Sequence, residues 1–432
     1  MNKSPYYITA EELAAPGKSK IPPPLRSSEH LIYSSPAALS FNSPGAEGFG
    51  VKRAGLSVPG SVMLIVSPGC CGRNTQPAGR MPEYKNRFFY LNLEEGDIVT
   101  GKHLQKIPGA VKEIVDYLEV KPSVVMICIT CVDALLGTDM ESVCRKTQDL
   151  VSLPVRPCYM YALTREGSRP PMVYVRQSIY SLLKPAKRRA DCANILGFFS
   201  PLMKSCELYD ILSSAGISEV REVSACESYN EFLKMSEANF NLLLNPEGRL
   251  AAGDLSDRLG IPYIELARMY NIEQNRRQYD ALSKALGIKA DTGKYLAAAL
   301  EAQAAFCNEY KGLRLAVGEC FNGDAFEAAY ALSLSGLCIS EIYGTVTDEN
   351  FVWIKHLAAV SPDTKIYSNL EPTMLFYEPD LSDAELAVGK DACWYHPDIP
   401  GISFNSDIQP FGFSGIISLY NEMSAAMKKR AA

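Results

Sequence analysis

From residue 61 onward, short apolar runs alternate with stretches of helical periodicity. Residues 62–66, 124–129, 194–199, 219–223, 240–244, 313–317, 338–343 and 365–367 read as strands. Residues 104–118, 140–150, 203–214, 229–236, 274–310 and 326–335 read as helical. Brief β-branched runs separated by helices predict parallel sheets covered on both faces. The pattern restarts near 188 and near 311. The prediction is an α/β chain of three Rossmann-like, doubly wound parallel-sheet domains, at 59–188, 189–310 and 311–432, the last ending in a C-terminal helix. Residues 1–58 are rich in Pro and Ser (Pro22, Pro23, Pro24, Ser34, Ser35, Pro36) and predict an extended N-terminal arm with no core of its own. In sheets of this kind functional groups gather at the carboxyl ends of the strands.

Composition narrows the function. Of the 432 residues, 47% are hydrophobic and 21% charged, which is ordinary for a globular chain and too apolar for a disordered one. The net charge of -6 comes with no dense Lys/Arg stripe, so no nucleic-acid partner is expected. No apolar run reaches the length of a membrane span, and 1–10 lacks the pattern of a secretory leader. A cytoplasmic protein with no membrane partner is expected. Thirteen cysteines are many for a reducing compartment, where thiols are free, catalytic or metal-bound.

Two cysteine pairs stand out by position. Cys70 and Cys71 follow the first strand in Ser67-Pro68-Gly69-Cys70-Cys71-Gly72. Cys128 and Cys131 end the second buried run in Cys128-Ile129-Thr130-Cys131. Both pairs therefore fall at carboxyl ends of strands in the first domain, and Gly69 and Gly72 allow close approach of the backbone. Three readings stand at this point: inert buried thiols, a redox dithiol, or soft ligands to zinc or an iron–sulfur cluster.

These residues resemble nitrogenase component 1. Ser67–Gly72 is similar to that family's Gly-Pro-x-Gly-Cys-Gly turn, with Cys71 in register with the cluster cysteine. Residues 94–101, Glu-Glu-Gly-Asp-Ile-Val-Thr-Gly, resemble its Glu-x-Asp-Ile-Val-x-Gly segment. Thr130-Cys131, followed by Leu135-Leu136-Gly137-Thr138-Asp139-Met140-Glu141, resembles a third. Looser matches fall at Arg258-Leu259-Gly260-Ile261-Pro262 and Phe411-Gly412-Phe413-Ser414-Gly415. The resemblance implies three α/β domains around a central cavity. It implies an oxidoreductase subunit that relays electrons from an ATP-dependent iron protein to a reduction site. It also implies an interface cluster shared with an identical or paralogous component 1 subunit, in a dimer or heterotetramer.

Carried over, Cys71 and Cys131 are the matched ligands. Two per subunit make the four that a [4Fe–4S] cluster takes. The larger [8Fe–7S] P-cluster-like group uses a third cysteine upstream, and no cysteine precedes Cys70 here; that region offers Ser34, Ser35 and Ser43. The four-iron cluster is therefore favoured; in the larger one Cys70 would be the replacement third ligand, and Cys128 either packs behind the site or ligates. The molybdenum enzyme's cofactor-binding Cys and His fall at Leu244-Asn245 and Ile402, which cannot ligate in that way. Cys393 and His396 lie nearby but offset. The substitution argues against N2 reduction by this subunit alone and leaves an electron-transfer subunit or a reductase with a different substrate; the alternative, of a different class, is a non-catalytic scaffold for assembly of a metal cofactor. Further candidates are Gly318–Asp324 as an anion-binding or cavity loop, and Glu319, Glu341 and Glu371 as solvated loop carboxylates. Asp97 and Asp139 are expected to cap helices.

Overall fold

Strands that are apolar at nearly every position must be covered on both faces, and five of the described strands are buried throughout: Val62–Ser67, Val125–Ile129, Cys192–Leu196, Phe240–Leu243 and Leu386–Val388. The computed structural model describes residues 4–26, 50–69, 82–130, 132, 136–159 and 171–431. In chain order its strands are β1 (Ile8–Thr9), β2 (Val62–Ser67), β3 (Phe88–Asn92), β4 (Val125–Ile129), β5 (Val155–Tyr159), β6 (Cys192–Leu196), β7 (Glu219–Glu222), β8 (Phe240–Leu243), β9 (Tyr263–Glu265), β10 (Arg314–Gly318), β11 (Cys338–Tyr343), β12 (Lys365–Tyr367), β13 (Leu386–Val388) and β14 (Gly401–Ile402). They form three sheets ordered β3-β2-β4-β5, β7-β6-β8-β9 and β1-β12-β11-β10-β13-β14. Every pairing is parallel except β1 on β12. The doubly wound α/β expectation is therefore met in each sheet.

The chain divides into two compact units, one of residues 43–200 and 217–267, the other of 1–42, 201–216 and 268–432. The boundary expected near 188 falls inside the first. A single apolar cluster explains this: Met63, Ile65, Met126 and Cys128 of the first sheet share it with Leu196, Phe232, Leu243 and Leu255 around the second. Helix Pro171–Tyr180 contributes Val175, Ile179 and Tyr180 to that cluster. Its Arg176 donates to the Gly197 carbonyl from Nε (2.9 Å) and Nη2 (2.7 Å). The other unit contains the third sheet.

The described part of the arm is not simply extended. Thr9 and Glu12 form a capping box at helix Ala10–Ala14, β1 adds to the edge strand β12, and Leu13 and Leu25 are fully buried. The helical region 274–310 is two helices, Ile272–Ala285 and Gly293–Glu309, separated where Gly287 takes a φ of +68°. Strands β3, β5, β9, β13 and β14 were not foreseen. β5 carries Arg156 and Pro157, residues that only an edge strand accommodates readily.

In the second unit a buried carboxylate seats the C-terminal helix Gly412–Ala431. Glu207, fully buried, accepts hydrogen bonds from the amides of Phe413 and Ser414, the Ser414 hydroxyl (3.0 Å) and the Tyr279 hydroxyl (2.7 Å). The carboxylate sits where the helix exposes unsatisfied N–H groups. Gly412 has a φ of +59°, and a Cβ there would lie 1.9 Å from Tyr279 Oη. Glu207→Ala strands these donors in the interior. Urea unfolding is expected to show a loss of about 2–4 kcal/mol, and an unchanged midpoint would refute this role.

Candidate cluster site at the carboxyl edge of the first sheet

β2 and β4 are neighbours and parallel, with Val66 registered on Ile129. β3 lies on the far side of β2, so the winding direction reverses between β2 and β4. At such a reversal the two following loops part to opposite faces, leaving a crevice at the carboxyl ends. The chain leaves β2 through Pro68 and Gly69, and leaves β4 through Thr130. Cys70, Cys71 and Cys131 follow directly and lie outside the described residues, as do Gly72 and Leu135. A Cβ added at Gly69 would meet no atom within 4 Å, so the described protein leaves open space there.

Cys128 is resolved into a definite place. It is registered between Ile65 and Cys158, is fully buried, and joins Met63, Ile65 and Met126 in the apolar cluster on one face of the sheet. Val62, Leu64, Val66, Val125, Ile127 and Ile129 fill the other face. Thr130 is different. Its hydroxyl is buried and has no hydrogen-bond partner among the described residues. A buried orphan hydroxyl one residue before Cys131 is a donor suited to a cluster sulfur or thiolate, so the local chemistry fits an iron–sulfur group.

The other motifs have structural work. Asp97 closes a capping box with Glu94 at helix Glu95–Thr100 and pairs with Lys106 at 2.6 Å; the hydrogen bond from Lys106 holds its carboxyl below the usual range. Gly101 ends that helix with a φ of +67°. Asp139 caps helix Met140–Val151 by accepting from the Ser142 amide at 3.0 Å. Gly260 ends helix Arg249–Leu259 in the left-handed region. Leu244 is buried, and Asn245 accepts from the Glu247 amide at 3.0 Å. Ile402 is buried in β14.

Gly318–Asp324 does not present a free anion site. Asp324 caps helix Ala325–Leu334 by accepting from the amides of Phe326 and Glu327. The amides of Glu319 (3.0 Å) and Cys320 (3.1 Å) donate to the fully buried Asp391. Asn369 Nδ2 donates to Asp391 at 2.7 Å and to Glu319 at 3.0 Å. An incoming anion would meet two carboxylates.

Nor are the three glutamates solvated. Glu341 and Glu371 are buried and Glu319 is half-buried. Glu341 accepts from the hydroxyls of Tyr343 and Tyr377, each at 2.7 Å, and lies 3.4 Å from His396 Nε2. Burial opposes its charge, but the bonds from His396, Tyr377 and Tyr343 hold its carboxyl below the usual value. His396 is thus enclosed by Glu341, Tyr343 (2.8 Å) and Tyr377 (3.1 Å). Burial pushes the Cys393 thiol up to about 11, so it stays protonated at neutral pH. Glu207, Asp391 and the orphan Thr130 hydroxyl were missed from sequence. Only the last had a signal, its place beside Cys131.

The fold defines an α/β protein of three mainly parallel sheets. The chain belongs to the nitrogenase component 1 type oxidoreductase family, whose model matches residues 47–320, more than half its length. It is similar to the nitrogenase iron-molybdenum cofactor biosynthesis protein NifE of Nostoc sp. (strain PCC 7120 / SAG 25.82 / UTEX 2576), with 23% identity over 84% of this chain and 79% of that protein. NifE of Clostridium pasteurianum is 24% identical over 57% of this chain, and NifE of Klebsiella pneumoniae 26% identical over 57%. These two matches span only 54% and 58% of the relatives' own lengths. Among solved structures, nitrogenase Cp1 at pH 6.5 superposes with a TM-score of 0.69 at 17% identity, covering 90% of this chain and 92% of that one. This likeness is one of fold.

Asp391 makes the third sheet sensitive to pH. Burial first, then the neighbouring Glu319, raises its carboxyl to about 6. The folded state therefore holds this proton more tightly than the unfolded chain, whose carboxyl titrates near about 4. The stability it contributes is full below about pH 4 and is lost as pH rises through about 6. In denaturant titrations between those values, Asp391→Asn is expected to flatten the decline of stability with pH. Identical slopes in the two proteins would contradict the assignment.

Proposed function

We propose that the chain is a component-1-like subunit that shares an iron–sulfur cluster with a paired subunit and serves as a scaffold for assembly of a metal cofactor. The observation that favours a scaffold is the use of Leu244, Asn245 and Ile402 for packing and capping at the places where the molybdenum enzyme holds its cofactor. The curated relatives are themselves named as cofactor biosynthesis proteins. Cys71 and Cys131 are the proposed ligands, with Cys70 as a third if the cluster is the larger one. Cys128 packs beneath them, and Thr130 donates to a ligand sulfur. When bound, the cluster supplies one-electron chemistry; the protein's part is to orient it and exclude water. A two-fold interface requires the same motif from the partner, whether an identical chain or a paralogue.

The family's description as an oxidoreductase supports a second reading. In it the same cluster relays electrons from an ATP-dependent iron protein to a reduction site.

Anaerobically purified protein is expected to carry oxygen-labile iron and sulfide, about four iron per dimer or more. Stoichiometric zinc without sulfide would overturn the cluster. Cys71→Ala and Cys131→Ala should lose most of the iron, and Cys192→Ala and Cys307→Ala should keep it. Retention of all iron by Cys131→Ala would refute the ligand assignment. Full retention by Cys70→Ala selects the four-iron cluster, and partial loss the larger one. Mixing the loaded protein with iron protein, ATP and dithionite separates the two functions. A scaffold shows no sustained electron consumption, whereas steady turnover establishes the relay.

A further inference from the structure

The edge strand β5 places a cation where no described carboxylate pairs with it. Arg156 donates from Nε to Ser181 Oγ (3.0 Å), and from Nη1 to Gln148 Oε1 (2.9 Å) and the Val155 carbonyl (2.8 Å). These three bonds fix the guanidinium plane. Nη2 has no hydrogen-bond partner among the described residues. The side chain is half-buried and borders two surface cavities, of about 560 and about 390 Å³, which share Arg156 and Gln148 in their walls.

The larger cavity has two chemically distinct sides. Leu153, Leu182 and Leu233 line it with Tyr229, whose ring stacks on Phe232 at 6.0 Å. Burial raises the Tyr229 hydroxyl's pKa while the nearby Arg156 draws it down, which places hydroxyl and guanidinium in one field. Arg156 and the exposed Lys184 supply two positive charges, against one carboxylate, Asp149. The smaller cavity adds Arg145 and two carboxylates, Glu141 and Asp254. Asp254 is already held by Arg258 at 3.0 Å.

We propose that this groove binds a small organic anion: one carboxylate or phosphate carried on an apolar body. The acid meets Arg156 Nη2 and Lys184, and the body lies against Tyr229 and the leucines. A guanidinium fixed before binding loses little freedom when the anion arrives, and its planar fork suits either acid. The apolar wall distinguishes such a ligand from an inorganic ion, and the larger cavity is within the range of small-molecule sites. The proposal does not depend on the cluster or on the partner subunit.

Saturation-transfer NMR on the full chain tests it, with phenylacetate and phenyl phosphate as probes, benzylamine as a comparison, and inorganic phosphate, which has no carbon-bound proton to observe, as a competitor added to the probes. Both aromatic acids are expected to bind, the tighter one naming the preferred acid; benzylamine should not bind, and equimolar inorganic phosphate should not displace the probes. Arg156→Gln should weaken binding by about tenfold or more, and Arg156→Lys by less, since a charge remains without the fork. Because Arg156 also ties β5 to its neighbours, the exposed Lys184→Gln provides a second reading: about threefold weaker binding with an unmoved melting curve. No binding of either aromatic acid at about 10 mM, which corresponds to less than about 3 kcal/mol of affinity, would overturn the proposal. So would equal binding of benzylamine, or unchanged affinity in a folded Arg156→Gln.

Discussion

Parallel strands send their chain out at a common edge, and the pairing of Val66 with Ile129 sets which loops meet there. That register brings the exits through Gly69 and Thr130 to one crevice, although 60 residues of sequence lie between them. A shift of one residue in β4 would turn Met126 and Cys128 out of the apolar cluster they share with Met63 and Ile65, and would put Ile127 and Ile129 in their place. Packing on both faces of β2 and β4 thus fixes the register, and the register sets where the chain leaves the two strands.

The third sheet is organised on the opposite principle. Its chain turns and helix starts present amides that could hold an anion, and internal carboxylates fill them. Glu207 seats the C-terminal helix. Asp324 caps helix Ala325–Leu334. Asp391 takes the amides of Glu319 and Cys320. Glu327, buried and raised by that burial to about 8, accepts from the amides of Tyr270 and Asn271 ahead of helix Ile272–Ala285. For Asp324, Asp391 and Glu327 burial has a desolvation cost that the hydrogen bonds offset only in part, which is why these three acids retain protons above the usual range. The arrangement gives rigidity without leaving a phosphate cradle, so a nucleotide-binding role for the Gly318–Asp324 loop is not supported by its geometry.

Much of this architecture was legible because buried parallel strands have an unmistakable sequence form. β2, β4, β8, β11 and β12 lie within a residue of the expected positions. β3 and β5 were not seen because edge strands face solvent on part of their surface and tolerate polar residues; β5 even carries Pro157. The joining of the first two sheets into one unit was equally hidden. It depends on residues such as Phe232 and Leu255 reaching a core begun by Met63, and periodicity along a chain says nothing about which cores merge. At the site, the cysteine spacing and the strand ends pointed to the crevice. The polarity of its surroundings did not show, since an orphan hydroxyl such as Thr130 is defined by what fails to approach it.

The family motifs acquire physical meaning once their contacts are known. Glu94–Gly101 is a helix with a capping box at one end and a left-handed glycine at the other. Gly137–Glu141 is a turn with Gly137 at a φ of +67°, followed by the Asp139 cap. Gly412 is required because Tyr279 and Glu207 leave no room for a side chain. These positions maintain the scaffold and carry no information about cargo or substrate. The informative differences lie where the same scaffold presents different side chains: a thiol pair after β2, Leu244-Asn245 after β8, and Ile402 in β14. Under the proposed reading, soft ligands kept at the first sheet beside packing residues at the other two places would separate electron storage from substrate reduction. That separation is the chemical basis for reading this chain as a holder of metal clusters.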